Sequence, residues 1–184
     1  DYRLRHAQYK KDQGSKALHK HAPLIAVWDD HEFSNDAWKR GAENHSGDGS
    51  EGDFYARRSA AIKAYYEWMP IREQQNKIRI FREFKIGKLI HLLMLDTRQY
   101  ARDKQIQPKE YLTESGFNQA KFYDELNSKN RELIGSEQLA WIEDSVFKTD
   151  AVWTIFGQQV LMAKLKFPDL SKMIASEEIP SFLK

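Results

Sequence analysis

Leu24-Ile25-Ala26-Val27-Trp28-Asp29-Asp30-His31-Glu32 is the stretch on which the reading of the fold turns. Five apolar residues run together after Pro23 and give way, without a spacer, to four ionisable ones. A short apolar run behind a helix breaker predicts a strand buried on both faces. The charged residues then fall at the strand's end, where open α/β sheets place their ligands. Neighbouring carboxylates repel, and a divalent or trivalent cation relieves that repulsion while gaining hard oxygen ligands. A histidine among them can ligate as neutral imidazole or give up a proton as imidazolium. The competing reading of Asp29–Glu32 is a solvated turn that caps the next segment.

Upstream, Tyr2–Ala22 sets Leu4, Ala7, Ala17 and Leu18 among charges, which predicts two short helices broken near Gly14. Downstream, Phe33–Gly52 is a polar loop rich in Gly and Asn, of the long kind that often carries function. Asp53 can cap a helix that runs to Met69 and is closed by Pro70, with Phe54, Ala61, Ile62, Tyr65 and Met69 on one face. Ile78, Ile80 and Phe84 alternate with Arg79 and Lys85, and Gly87 turns that strand into Leu89–Leu95, a hairpin ending in Asp96-Thr97-Arg98. Gln99–Gly135 reads as loop with partial helix around Gln119–Asn127. Ser136 is placed as the N-cap of a helix over Glu137–Lys148, with Leu139, Ile142, Val146 and Phe147 as its apolar side. Ala151–Phe156 predicts another buried strand, leading into Gly157-Gln158-Gln159. From Lys164 onward Leu165, Phe167, Leu170, Met173 and Ile174 form no clean element. Strands alternating with helices predict an α/β layered domain.

Composition excludes several classes. With 184 residues, 41% hydrophobic and 12% aromatic, the chain can bury a core, so wholesale disorder is excluded. The 29 Lys+Arg and 27 Asp+Glu are interleaved, a net charge of +2 with no concentrated basic face of the kind nucleic acid requires. Absence of Cys removes disulfides, thiolate nucleophiles and Cys-based metal sites. No run approaches the ~20 apolar residues of a membrane helix, and Asp1–Arg5 lacks signal-peptide chemistry. There is no Walker A or Rossmann glycine pattern and no G-x-S-x-G elbow.

Arg98, at a strand end, can grip phosphate oxygens bidentately or form a structural ion pair with an aspartate. Gln158-Gln159 offers uncharged hydrogen bonding at a third strand end. His6, His19, His21, His45 and His91 are scattered, and the spacing of His19 and His21 points to the surface. Asp48, Glu51 and Asp53 miss the spacing of a calcium loop and read as solvated. Trp28, Trp68, Trp141 and Trp153 sit in periodic segments and read as core.

Several motifs, in one order, resemble a known family. Trp28-Asp29-Asp30-His31-Glu32 is similar to the WDDHE signature of PhoD-like alkaline phosphatases, within the calcineurin-like metallophosphoesterase superfamily. Tyr2-Arg3-Leu4-Arg5-His6-Ala7 with Tyr9 resembles the family's segment before that signature. Ala64-Tyr65-Tyr66-Glu67-Trp68-Met69-Pro70-Ile71-Arg72 resembles its A-Y-Y-E-x-M-P-x-R helix, and Leu95-Asp96-Thr97-Arg98-Gln99-Tyr100 its LDTRQY strand end. Gly135-Ser136-Glu137-Gln138, Trp141-Ile142, Trp153 and Gln158-Gln159-Val160 resemble the helix and strand that follow, so the likeness runs from Tyr2 to about Lys164.

The resemblance implies part of a layered metallophosphoesterase-type β-sandwich flanked by helices. It implies hydrolysis of phosphate mono- or diesters at a metal centre, with calcium and iron as the metals. Aligned on the superfamily's G-N-H-D/E motif, Asp30 takes a metal-ligand position and His31 the position that stabilises the transition state, while Asp29 falls on the glycine. Asn35 is a further candidate oxygen ligand and Arg98 a candidate phosphate contact. The family's G-D-x-x-Y and G-D-x-H motifs, which flank the matched region, do not occur here. Residues 1–184 are therefore expected to be one partial domain, impaired alone, whose open sheet edges favour homo-oligomers. Two other readings stay open: a non-catalytic cation- or anion-binding module that keeps the Asp29–Glu32 loop, and a small enzyme whose site two chains complete. Family analogy implies export to a periplasmic or extracellular location.

Overall fold

The computed structural model describes residues 1–163; the expectation for the stretch from Lys164 onward lies outside them. Two helices open the chain, α1 (Tyr2–Lys10) and α2 (Gln13–His21). Asp1 caps the first by accepting from the Arg3 N–H at 2.9 Å, and Asp12 the second by accepting from that of Ser15 at 2.8 Å. The break thus falls at Lys11-Asp12, because a capping carboxylate starts a helix, and Gly14 lies inside α2.

The predicted strand over Leu24–Trp28 does not form: the segment is extended but joins no sheet among the described residues. An apolar run favours extension, yet a strand also needs a neighbour to complete its ladder. Side chains stand in for that neighbour. The Ala26 carbonyl accepts from Arg82 Nη2 at 2.5 Å and the Trp28 carbonyl from Gln159 Nε2 at 2.8 Å. Only the inner end is sealed, with Trp28 1% exposed against 37% for Ile25.

Helix α3 (Phe54–Trp68) is capped by Asp53, as expected, and buries Phe54, Ala61, Ile62 and Tyr65. It divides the core. Trp28, Ile62, Tyr65, Tyr66 and Ile80 pack near its C-terminal half, and Phe33, Ala37, Ala42, Phe54 and Ala61 near its start. Helix α1 lies along α3, fastened by the Arg3 guanidinium on the Glu67 carboxylate at 2.5 and 2.9 Å.

Strands β1 (Arg82–Ile86) and β2 (Ile90–Met94) form the predicted hairpin; Ile78 and Ile80 precede it, and Ile80 is core rather than strand. The polar stretch after β2 holds a 3-10 turn (Pro108–Tyr111), a short ribbon of β3 (Leu112–Thr113) and β4 (Gly116–Phe117), and α4 (Gln119–Leu126). The helix was foreseen and the ribbon was not. Helix α5 (Gly135–Phe147) follows, then β5 (Trp153–Gly157), parallel to β2, giving the sheet order β1-β2-β5.

Three expectations about this last part are corrected. Helix α5 starts two residues early: Gly135, at φ +75, opens it, no side chain caps it, and Ser136 lies within its first turn. Its buried residues are Gln138 and Ser145, while Leu139, Val146 and Phe147 of its apolar side are exposed. Strand β5 is also not buried, since it is a sheet edge and Trp153, Ile155 and Phe156 stand open. Trp28 is therefore core and Trp68 and Trp141 half-buried, but Trp153 is not core. The α/β layering holds; a second packed sheet is not found among the described residues.

Candidate functional site

The site is built on a sealed polar junction where β2 ends. Asp96 is 0% exposed; its Oδ1 accepts from the backbone N–H of Arg98 and of Gln99, each at 2.8 Å, and its Oδ2 from Trp28 Nε1 at 2.8 Å. That carboxylate folds the chain into an Asx-type turn from which Arg98 reaches the carboxylates of Asp29 and Asp36. Burial pushes the Asp96 carboxyl above its ordinary pKa, while the N–H donors of Arg98, Gln99 and Trp28 pull it back.

Two glutamines close the junction. Gln138 Oε1 accepts from the Asp96 N–H at 2.8 Å, and its Nε2 donates to the carbonyls of Asp96 at 2.9 Å and Ile134 at 3.0 Å. Gln159 Oε1 accepts from the Thr97 N–H at 2.9 Å and from Thr97 Oγ1 at 2.5 Å. Its Nε2 donates to the carbonyls of Trp28 and Leu95, both at 2.8 Å. One side chain thus ties the Leu24–Trp28 segment, the end of β2 and the end of β5 together. The sequence singled out Gln159 only as a strand-end amide, and Gln138 carried no local signal.

Opposite Arg98 lies the Asp29–Asp36 loop. Asp30 is buried and serves as its internal peg. Its carbonyl accepts from the Phe33 and Ser34 N–H groups at 2.8 and 2.7 Å, its Oδ1 from that of His31 at 3.1 Å and its Oδ2 from that of Asp36 at 2.7 Å. Asp36 sits at φ +48, a left-handed conformation that Asp tolerates better than most residues. Arg98 then spans three carboxylates: Nε donates to Asp29 at 2.6 Å and Nη1 to Asp36 at 3.2 Å, and Nη2 lies 3.7 Å from Asp30.

His31 stands at the rim of this knot, its side chain 77% exposed and its Nε2 3.9 Å from Asp30 Oδ2. Its Nε2 donates to Asn35 Oδ1 at 2.8 Å, and Asn35 Nδ2 in turn donates to the Glu43 carboxylate, which fixes the amide's orientation. The Asn35 oxygen, and after it the Asp30 charge, hold the imidazole above its ordinary pKa. Asp29, Asp30, His31, Asn35 and Arg98 are therefore brought into one place; Asp36 and Gln138 are members that the sequence reading did not propose, and Gln159 one that it noted without a partner. His91 lies elsewhere, buried, with its Nε2 2.7 Å from Glu83 Oε2. Asp48 and Glu51 belong to an exposed turn, where the Ser46 hydroxyl and Ser50 hold Asp48 down to about 2.

The donor set draws a cation, and the cation it holds is the Arg98 guanidinium. The hard oxygens of Asp29 and Asn35 are of the kind that suits calcium or a trivalent ion, but Asp29 Oδ1 accepts from Arg98 and Asn35 Oδ1 from His31. Asp30 has both oxygens engaged by backbone donors. Among the described residues no three His, Asp or Glu side chains converge to hold a metal, so the residues present fit one wall of a metal centre and not a whole one. No described helix is long and apolar enough to cross a membrane.

Comparison with known proteins identifies the family. Residues 1–179 match the family described as PhoD-like phosphatase. The chain is 37% identical over 171 residues to alkaline phosphatase D of Bacillus subtilis (strain 168), which covers 91% of this chain and 27% of that protein. It superposes on a solved structure titled "Structure of PhoD" with a TM-score of 0.72 at 36% identity, over 89% of this chain and 30% of that one. The chain thus spans less than a third of the proteins it matches. A buried Asp30 peg, an exposed His31 and an Arg98 clamp lie within the matched length, and the chain belongs to the PhoD-like phosphatase family.

Proposed function

We propose that this chain supplies the central part of a metal-dependent phosphoesterase that hydrolyses phosphate mono- or diesters. One observation carries the reading: in a member of this family, His31 stands exposed at the rim of a loop pegged by buried Asp30 and clamped by Arg98. Calcium and iron are the metals proposed, held on this side by Asp29, Asp30 and Asn35 and completed by residues beyond this partial domain. The bound ions would supply Lewis acidity and a water of lowered pKa. His31 gives a hydrogen bond to a phosphoryl oxygen or a proton to the leaving group, and its raised pKa favours the donor form. Arg98 either contacts phosphate directly or keeps Asp29 and Asp36 aligned for their work.

The test uses the full-length protein with p-nitrophenyl phosphate and bis(p-nitrophenyl) phosphate, stripped of metal and then reloaded with calcium and iron. Removing the metals should abolish turnover, and His31→Ala should lower kcat by about 10²–10⁴-fold. Near wild-type turnover in His31→Ala would sink the assignment.

A second reading, a non-catalytic ion-binding module, is favoured by the self-neutralisation of Arg98 on three carboxylates. Calcium-dependent stabilisation without hydrolysis of either ester would select it. Export by family analogy is part of the first reading, and finding the native protein in the cytosolic fraction would remove it.

A further inference from the structure

Behind His31 runs a chain of side chains that ends on Glu43, because the segment from Ser34 to Asn44 doubles back on itself. The Trp38 N–H donates to the Gly41 carbonyl at 2.8 Å, and the Gly41 N–H to the Trp38 carbonyl at 3.4 Å. A Cβ at Gly41 would lie 2.3 Å from the Trp38 ring, so the ring folds over the turn only with glycine there. Two further rungs follow: the Glu43 N–H donates to the Asn35 carbonyl at 2.9 Å, and the Ser34 hydroxyl to Asn44 Oδ1 at 2.5 Å. Ala37 and Ala42, one on each arm, are buried in one cluster with Phe33 and Phe54. The backbone thus delivers Glu43 to Asn35, and the Glu43 carboxylate accepts from Asn35 Nδ2.

That carboxylate sets more than a distance. When ionised it only accepts, so it takes the NH2 end of the amide and turns Asn35 Oδ1 toward the imidazole. The amide oxygen also only accepts, which requires the facing His31 Nε2, 2.8 Å away, to carry a proton. Nδ1 makes no hydrogen bond among the described residues and is the nitrogen left for a phosphoester. We propose that Glu43 is a positioning residue: acting through Asn35, it holds the His31 ring by its Nε2 proton and leaves Nδ1 to the reacting phosphate. The inference rests on the reading of His31 as part of a phosphoesterase site.

The experiment uses the full-length, metal-loaded protein and the better substrate of p-nitrophenyl phosphate and its diester. Glu43→Ala should lower kcat about tenfold with KM near its wild-type value, the size of one charge-assisted hydrogen bond at an exposed position. Glu43→Gln, whose amide oxygen can still accept from Asn35 Nδ2, should restore most of that loss. In a His31→Ala background Glu43→Ala should cost nothing further, because the carboxylate acts only through the imidazole. Asp124→Asn on α4 should leave kcat unchanged in either background. Glu43→Met, close in length but without an acceptor, takes the place of Glu43→Ala should the latter misfold. A loss that persists in full without His31 overturns the proposal and assigns Glu43 to the metal wall or to the fold. So does wild-type kcat in Glu43→Ala, or a change confined to KM. Nitrogen-15 NMR of the metal-free protein, labelled at histidine, gives a readout independent of turnover. The neutral His31 ring should carry its proton on Nε2 in the wild type and lose that preference in Glu43→Ala; a wild-type ring protonated at Nδ1 overturns the proposal. If the wild type turns over neither ester, or His31→Ala is as fast as the wild type, the phosphoesterase reading of His31 fails. The NMR spectrum then decides by itself whether Glu43 sets the ring.

Discussion

At one end of the sheet, Asp96, Thr97 and Gln138 are each 0% exposed, polar, and answered by partners on other segments. On the sheet face that carries Ile86, Trp153 and Ile155, the residues are apolar and 51%, 63% and 43% exposed. The usual arrangement is inverted between these two regions. Alternation along paired strands explains part of it. Glu83, His91 and Leu93 share one face and Phe84, Leu92 and Ile155 the other, and on the central strand β2 burial favours the first, with His91 and Leu93 each 0% exposed. The lesson is that this chain spends its order on positioning the Asp29–Asp36 loop, while its apolar surface is left for something else to cover.

The comparison can be broken most sharply at Gln138. Gln138→Ala leaves the Asp96 N–H and carbonyl sealed without partners, and unfolding in urea should show a loss of about 2–4 kcal/mol. A loss below ~1 kcal/mol would mean that water reaches the junction and that it is not sealed. Gln159→Ala removes four hydrogen bonds at a half-buried position, where water can replace some of them. The expected loss is about 1–3 kcal/mol, with a fall in turnover as the Trp28 and Leu95 ends separate. Unchanged turnover alongside reduced stability would show that the junction does not set the site. The smallest effect is expected on the open face. Ile155→Lys in the 184-residue chain should change unfolding by less than ~0.5 kcal/mol, while light scattering shows less self-association through the β5 edge. A larger loss of stability would show that this face is already covered.

Much of this was legible in the sequence, and for definite reasons. Asp53 before an apolar periodic run gave α3 and its buried face, and Gly87 between alternating runs gave the β1–β2 hairpin. Asp29–Glu32 and Arg98 were each read as polar residues at the end of an apolar run, and the structure joins Asp29 to Arg98 at 2.6 Å. The failures share a cause. Leu24–Trp28 was read as a strand and β5 as buried because composition reports what a segment favours, not what lies beside it. Gln138 and Gln159 were undervalued because their principal partners lie 42 and 62 residues away, and no local pattern encodes such a bond. Asp36 was missed since its left-handed turn exists only once Asp30 accepts its N–H.

The two glutamines have one more consequence. A carboxamide neither gains nor loses a proton across the range in which proteins survive, and a guanidinium keeps its charge equally well. The braces that hold three chain ends in register, and the clamp that spans Asp29 and Asp36, are therefore indifferent to alkalinity. Raising the pH therefore leaves the register of these three segments as it was, because no group that holds it gives up a proton on the alkaline side.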